Sequence, residues 1–331
     1  RTTGDPNRQG IDLIIGYNCQ RQAHNHYPRY LWRNQQRIPL EGNTRSLSGK
    51  QYSQDLFIEE ALQFIRDHAE EPFFLYMPFA IPHLSIQVPD ESLAAYRDTM
   101  AEADYDHRDS YLQHPYPRAG YAAMITHMDA GIGQVLQLLD ELDLAGNTLV
   151  MFSSDNGPTY DRLGGSDSDF FQSAGPLHGR KGDVDEGGIR VPLIVRWPQQ
   201  VPGGRVSDHV CAFWDVMPTV LEAVGAERPE PADGISFLPT LRATGRQPTH
   251  PYLVWHFPGY GGQQAVRVGH WKGVRRQLHQ HPDAELELYD LQQDLTETTD
   301  VASEHPAVVQ QMLEILQQTQ DRSEVFRWLG R

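Results

Sequence analysis

The run Thr148-Leu-Val-Met-Phe-Ser-Ser-Asp-Asn-Gly-Pro158 decides the fold class. A short uninterrupted apolar stretch that ends in polar and Gly/Pro punctuation reads as a strand buried on both faces of a parallel sheet. Ligands of such sheets lie outside the carboxyl ends of the strands. Asp155 and Asn156 therefore stand where a ligand is held, offering a carboxylate and an amide carbonyl, two hard oxygen donors suited to Ca²⁺ or Mg²⁺. Asp-Asn-Gly is equally a good turn after any strand. These residues alone leave both readings open.

Working outward, apolar residues at helical spacing (Leu56, Phe57, Ala61, Phe64, Ile65) predict a helix over 53–71, with Ser53 or Asp55 able to cap it. The aromatic run 72–80 predicts a strand, 121–144 a long amphipathic helix stopped by Gly146, 191–197 a further buried strand and 213–224 a helix. Strands alternating with helices indicate an α/β fold, a mainly parallel sheet between helices. Residues 1–50 carry little periodicity and read as a long loop region. Past Gly234 the texture changes to short strands at 252–257, 265–269, 271–275 and 286–291, then a helix over 306–319. That pattern indicates a small antiparallel sheet with a helix packed on it. The expected organisation is an α/β domain over 1–235 and an antiparallel subdomain over 236–331.

With 331 residues the chain can bury a substantial core. Its formal charge of −16 argues against a nucleic-acid partner, which requires clustered Lys and Arg. No stretch has the eighteen or so apolar residues of a membrane span. Cys19 and Cys211 match no metal or redox spacing; they either pair or remain separate thiols.

Three segments place chemically useful groups at a strand end or in a glycine-rich loop: His83, the Asp155-Asn156 pair, and Leu177-His-Gly-Arg-Lys-Gly-Asp183. A histidine after a strand is often a satisfied structural group. In the third segment His178, Arg180 and Lys181 sit among glycines that let backbone approach a ligand, and a lysine ammonium suits a tetrahedral oxyanion. Asp183, Asp185 and Glu186 partly cancel that charge, so a solvated loop of mixed charge is the competing reading. Together a metal-binding carboxylate and amide, a proton-handling histidine and a lysine make half of a metal-assisted ester hydrolase. The nucleophile is missing.

In order along the chain stand Gly10-Ile-Asp-Leu-Ile-Ile-Gly-Tyr, His24-Asn-His-Tyr-Pro28, Pro82-His83, Met128-Asp-Ala-Gly-Ile-Gly133, Ser154-Asp-Asn-Gly157, Gly175-Pro-Leu-His-Gly-Arg-Lys-Gly182, Glu186-Gly-Gly-Ile-Arg-Val-Pro192, Asp215-Val-Met-Pro-Thr-Val220, Asp233-Gly234 and Leu288-Tyr-Asp-Leu291. With these the chain resembles the C-terminal two thirds of a formylglycine-dependent sulfatase, of the arylsulfatase-like kind, in the alkaline phosphatase superfamily. The resemblance implies that Asp155 and Asn156 bind calcium, that Lys181 contacts the sulfate, and that His83 lies beside the ester oxygen. His24, His178 and Arg180 are candidate substrate-binding residues, and loops 17–30, 100–118 and 158–180 are candidate specificity loops. The implied substrate is a sulfated carbohydrate or aryl ester. Periplasmic or extracellular placement is usual for proteins of this kind.

The chain departs from the family pattern where the nucleophile should be. The N-terminal aspartate pair, the Cys-x-Pro-Ser-Arg motif whose cysteine becomes formylglycine, and the Gly-Lys-Trp segment are absent; Cys19, in Cys-Gln-Arg-Gln-Ala, lacks the Pro-Ser context. The chain is accordingly expected to be a fragment cut at its N-terminus, with half of a calcium site and no activity by itself. The alternatives are a phosphatase or phosphonate-ester hydrolase of the same superfamily, and a non-catalytic binding protein.

Overall fold

The computed structural model describes residues 4–105, 111–159 and 163–319. Parts of two candidate specificity loops, 106–110 and 160–162, lie outside the described residues. The chain divides into two compact units, Arg1–Ala145 with Thr159–Phe171, and Gly146–Pro158 with Gln172–Arg331. This division does not follow the 235/236 boundary read from sequence texture. The strand at 150–153 and the glycine-rich loop belong with the C-terminal sheet, not with the helices that precede them.

The first unit opens with three antiparallel strands, β1 (Ile15–Gly16), β2 (Tyr30–Arg33) and β3 (Gln36–Pro39), inside the stretch expected to be loop. Strands this short show no readable alternation. Asn34, at a φ of 51°, makes the tight turn between β2 and β3. Helix α1 (Ser53–Asp67) starts where expected, but Ser53 does not cap it; its hydroxyl instead receives the Tyr17 hydroxyl at 2.7 Å.

Helix α2 (Pro117–Glu141) begins four residues before the expected start. Pro117 suits the first helical turn, and the distant Glu102 carboxylate accepts the Arg118 and Ala119 amides at 2.9 and 3.0 Å. It also ends early. Asp143 turns the chain at a φ of 57°, and the Leu144 amide returns to the Leu139 carbonyl, so Gly146 is not the stop. α1 packs on α2 at Gly131, where any Cβ would fall 2.8 Å from Ile58 Cδ1. The core beside them holds Leu84, Ile86, Val88, Leu93 and Met124, each contributing about 1.5–3 kcal/mol on full burial.

Residues 72–80 are not a strand, and Phe74 and Tyr76 are 68% and 74% exposed. Aromatic β-propensity expresses fit to a pleated surface; among the described residues this run has no strand partner.

In the second unit β4 (Val150–Ser153) pairs antiparallel with β5 (Leu193–Arg196), Met151 opposite Val195 and Phe152 opposite Ile194. Among the described residues these two strands pair only with each other. β4 is half-buried and Ile194 is 62% exposed, so the parallel neighbours and two-sided burial expected from the apolar runs are not found there. Helix α3 (Val216–Val224) is closed by Gly225 at a φ of 70°. It starts three residues late because Phe213–Asp215 forms a 3-10 turn. Buried Asp215 ties three segments, accepting the Ala212 and Ile235 amides at 2.7 Å each and contacting His250 Nε2 at 2.8 Å.

The C-terminal sheet, β6 (Leu253–Phe257), β7 (Gln263–Val268), β8 (Trp271–Arg275) and β9 (Glu287–Asp290), is antiparallel in chain order, as the alternation predicts. Successive side chains of β7 point to opposite faces. Val266 packs with Leu288 and with Met312 and Leu316 of helix α4 (Pro306–Gln318), while Ala265 packs with Val274, Tyr289 and Val184 of the glycine-rich loop. The sheet thus anchors that loop. Cys19 and Cys211 are both free thiols. Among the described residues no helix is long and apolar enough to cross a membrane.

Candidate active site

The second unit brings Asp155, Asn156 and Lys181 together through backbone. The chain leaves β4 at Ser154, whose hydroxyl donates to the Asn156 carbonyl at 2.8 Å. The Gly157 amide then donates to Gly188 at 2.9 Å, and the Lys181 amide to Pro158 at 2.8 Å. Glycine is needed here, since a Cβ on Gly157 would lie 1.8 Å from the Gly187 carbonyl oxygen and one on Gly187 would lie 2.2 Å from that of Gly179. The lysine therefore emerges beside the strand tip that carries the aspartate and asparagine. Asp155 is exposed, Asn156 and Lys181 are half-buried, and His178 and Arg180 flank them on the same loop. A carboxylate with an adjacent amide carbonyl fits a hard divalent cation, although such an ion takes about 6–8 oxygens and two residues supply only part of the shell.

The first unit brings His83 and His24 together. Their rings stack at 5.0 Å with planes 13° apart, and Tyr111 lies 5.2 Å from the His24 ring. His83 Nδ1 lies 2.9 Å from the Leu84 carbonyl oxygen. A carbonyl only accepts, so the Nδ1 proton is fixed there and the neutral ring presents Nε2 as its basic nitrogen. Behind them the His26 ring contacts the His83 carbonyl through Nε2 at 2.9 Å and is fully buried. Burial pulls its pKa down to about 4, so His26 is neutral at ordinary pH.

The sulfatase profile matches residues 1–226. The chain belongs to the sulfatase family. A second profile, N-sulphoglucosamine sulphohydrolase C-terminal, matches residues 181–322. Among curated relatives, a sulfatase of Formosa agariphila is 32% identical over 83% of this chain and 49% of its own length. The mouse (Mus musculus) steryl-sulfatase is 33% identical over 68% of this chain and 33% of its own length. This sulfatase chain thus spans half or less of those two relatives. The crystal structure of Ps i-CgsB in complex with k-i-k-neocarrahexaose superposes with a TM-score of 0.74 at 25% identity, covering 96% of this chain and 68% of that one.

What holds the sulfatase loop in place is a charge network that sequence reading missed. Lys272, on β8, is 0% exposed and lies 2.9 Å from Glu186 Oε1 and 2.8 Å from Glu297 Oε1. The second contact is a charge contact without hydrogen-bond alignment; Glu297 is otherwise held through Oε2, which accepts the Glu186 amide at 2.7 Å. Arg276 grips Asp185 with two bonds of 2.8 and 2.7 Å. Burial opposes ionisation of Asp185 and Glu186, but Arg276 and Lys272 respectively outweigh it and hold both below the usual carboxylate range. At Glu297 burial outweighs Lys272 and pushes the group up. A lysine between Trp271 and Gly273 reads as ordinary strand alternation; its one signal was a charged residue at a core-facing position.

Ligand atoms of His178, Asp185 and Glu297 lie within 4.8 Å of one another, a spacing that a metal ion could bridge. Arg276 and Lys272 already neutralise the two carboxylates, with Arg190 and Arg267 adding charge around Glu186. An added divalent ion would meet four cations, so the cluster is an ion-pair network. The strand-tip pair has no such competitor, since among the described residues Asp155 forms no ion pair.

Proposed function

We propose that the protein containing this chain hydrolyses a sulfate ester of a carbohydrate. The observation that carries the reading is the main-chain lock between Lys181 and Pro158, which sets a lysine beside the Asp155-Asn156 tip in a sulfatase-family chain. Asp155 and Asn156 would hold the calcium ion, which when bound supplies divalent charge against the sulfuryl oxygens. Lys181 binds the same oxygens, and charge aimed where it develops is usually the largest contribution to such catalysis. By the family resemblance His83, whose Nδ1 is committed to the Leu84 carbonyl, is assigned the proton at the ester oxygen. His24, stacked on His83, orients that ring. His178 and Arg180 are substrate contacts. By family likeness the nucleophile would be a formylglycine, and the Cys-x-Pro-Ser-Arg motif that yields it does not occur among residues 1–331.

Carbohydrate is favoured over sterol because the likeness to the neocarrahexaose complex covers 96% of the chain, C-terminal sheet included, whereas the steryl-sulfatase match covers 68%. By the same family likeness the protein is proposed to work in the periplasm or outside the cell. The test is turnover by the full-length protein on matched sulfate, phosphate and phosphonate esters. Sulfate esters should be preferred, with kcat reduced by about 10²–10³ in Lys181→Ala. Preference for phosphate or phosphonate, or an unchanged Lys181→Ala, would overturn the reading.

A further inference from the structure

The loop of residues 258–262, between β6 and β7, is not part of the site described so far, yet two contacts at its ends tie it to the loop that carries Lys181. Gln263, at its end, donates its side-chain amide to the Gly182 carbonyl at 2.7 Å. Phe257, at its start, packs in the cluster that contains Val184. The Leu278 and His279 amides donate to Gly262 and Gly261 at 3.0 and 2.8 Å, so the loop backbone is pinned from a second side. Tyr260 stands three positions before Gln263, at most about 11 Å of backbone, and through the Gln263 side chain this loop is tied to Gly182, the chain neighbour of Lys181.

Tyr260 is 57% exposed although it is large and aromatic. Its ring lies 5.8 Å from that of Phe257 with planes 30° apart. Its backbone is left-handed, at a φ of 51°, a conformation unfavourable for a bulky side chain and one that glycine would adopt freely. A chain that keeps tyrosine there bears strain to present a ring, and such strain gathers at ligand sites. A flat ring with a polar tip suits a pyranose, which has an apolar face and a rim of hydroxyls. On a chain of net charge −16, a neutral platform also binds the unsulfated part of a polyanion without adding repulsion.

We propose that Tyr260, backed by Phe257, is the stacking platform for a pyranose ring of the substrate next to the sulfated residue, and so sets preference for oligosaccharides. This rests on the carbohydrate-sulfatase reading above and names a subsite within it. The test is calorimetric titration of the full-length protein with hexasaccharides from sulfated galactans and glycosaminoglycans, each with its desulfated counterpart. Tyr260→Gly, which suits the left-handed backbone, should weaken sulfated and desulfated sugars alike, by about tenfold. Tyr260→Phe should retain affinity, and Lys181→Ala should weaken only the sulfated member of each pair. Unchanged affinity in Tyr260→Gly overturns the platform and leaves the sulfatase reading standing. No binding of any hexasaccharide to the wild type overturns it too, and sulfate-ester turnover then judges the parent reading separately. A lowered unfolding temperature in Tyr260→Gly without loss of affinity would make the ring a packing contact and end the proposal.

Discussion

Replacing Lys272 with methionine tests the network that seats the glycine-rich loop. The ammonium is fully buried between Glu186 and Glu297, at 2.9 and 2.8 Å. Methionine fills a similar volume but leaves the two carboxylates without their shared cation. Breaking a buried pair by removing one partner costs about 3–5 kcal/mol, a large part of the roughly 5–15 kcal/mol of a whole domain. Arg190 and Arg267 still face Glu186, so the burden falls on Glu297, which among the described residues retains only the Glu186 amide as a hydrogen-bond donor. Glu297 is already raised by burial, and losing Lys272 raises it further. A carboxylate whose folded pKa lies above its unfolded value binds more protons when folded, so stability falls as pH rises from the unfolded to the folded pKa. The deficit of Lys272→Met relative to wild type should therefore be larger at pH 8 than at pH 5, and adding Glu297→Gln should recover part of it. Urea unfolding of the three proteins at both pH values measures this. A deficit below about 1 kcal/mol, or one equal at the two pH values, would refute the buried-network account.

Other expectations follow from the same structure. Gly157→Ala should cost at least about 1–3 kcal/mol, the usual penalty of overpacking, since its Cβ would sit 1.8 Å from the Gly187 oxygen; thermal unfolding checks this. His26 has a folded pKa of about 4 against an ordinary 6.5, so stability is lost as pH falls through that window. The wild type should lose about 2 kcal/mol more than His26→Gln between pH 7.5 and 5, measured by denaturant titration. Asp155→Ala in the full-length protein should abolish calcium binding in a calorimeter, while Asp185→Asn should leave it intact, because Asp185 serves Arg276 and not an ion. The 331-residue chain alone should show no turnover of an aryl sulfate, for want of the Cys-x-Pro-Ser-Arg motif.

The C-terminal half was legible because its strands alternate and its helix carries one apolar stripe; observed β8 coincides with the expected 271–275. The first fifty residues were not, since two four-residue strands are too short to show a period. The limits of α2 were misjudged for a nonlocal reason, its cap coming from Glu102 across a loop. The run at 72–80 indicated a strand and that at 148–154 a strand buried on both faces, but sequence patterning says nothing of which neighbours pair with a strand or cover a face. At the site, the spacing of Asp155 and Asn156 suggested oxygen donors. Their meeting with Lys181 depends on main-chain bonds across more than twenty residues, which no local pattern encodes. Lys272 escaped for the opposite reason, being a buried charge inside a regular strand.

The bond from the Lys181 amide to the Pro158 carbonyl involves no side chain. Substitution at Leu177, His178 or Arg180 can thus recast what the loop recognises without dislodging the ammonium. A selection experiment that randomises those three positions while keeping Gly157, Gly187 and Gly188 would draw on a library whose members share the proposed anion anchor and vary only the side chains around it.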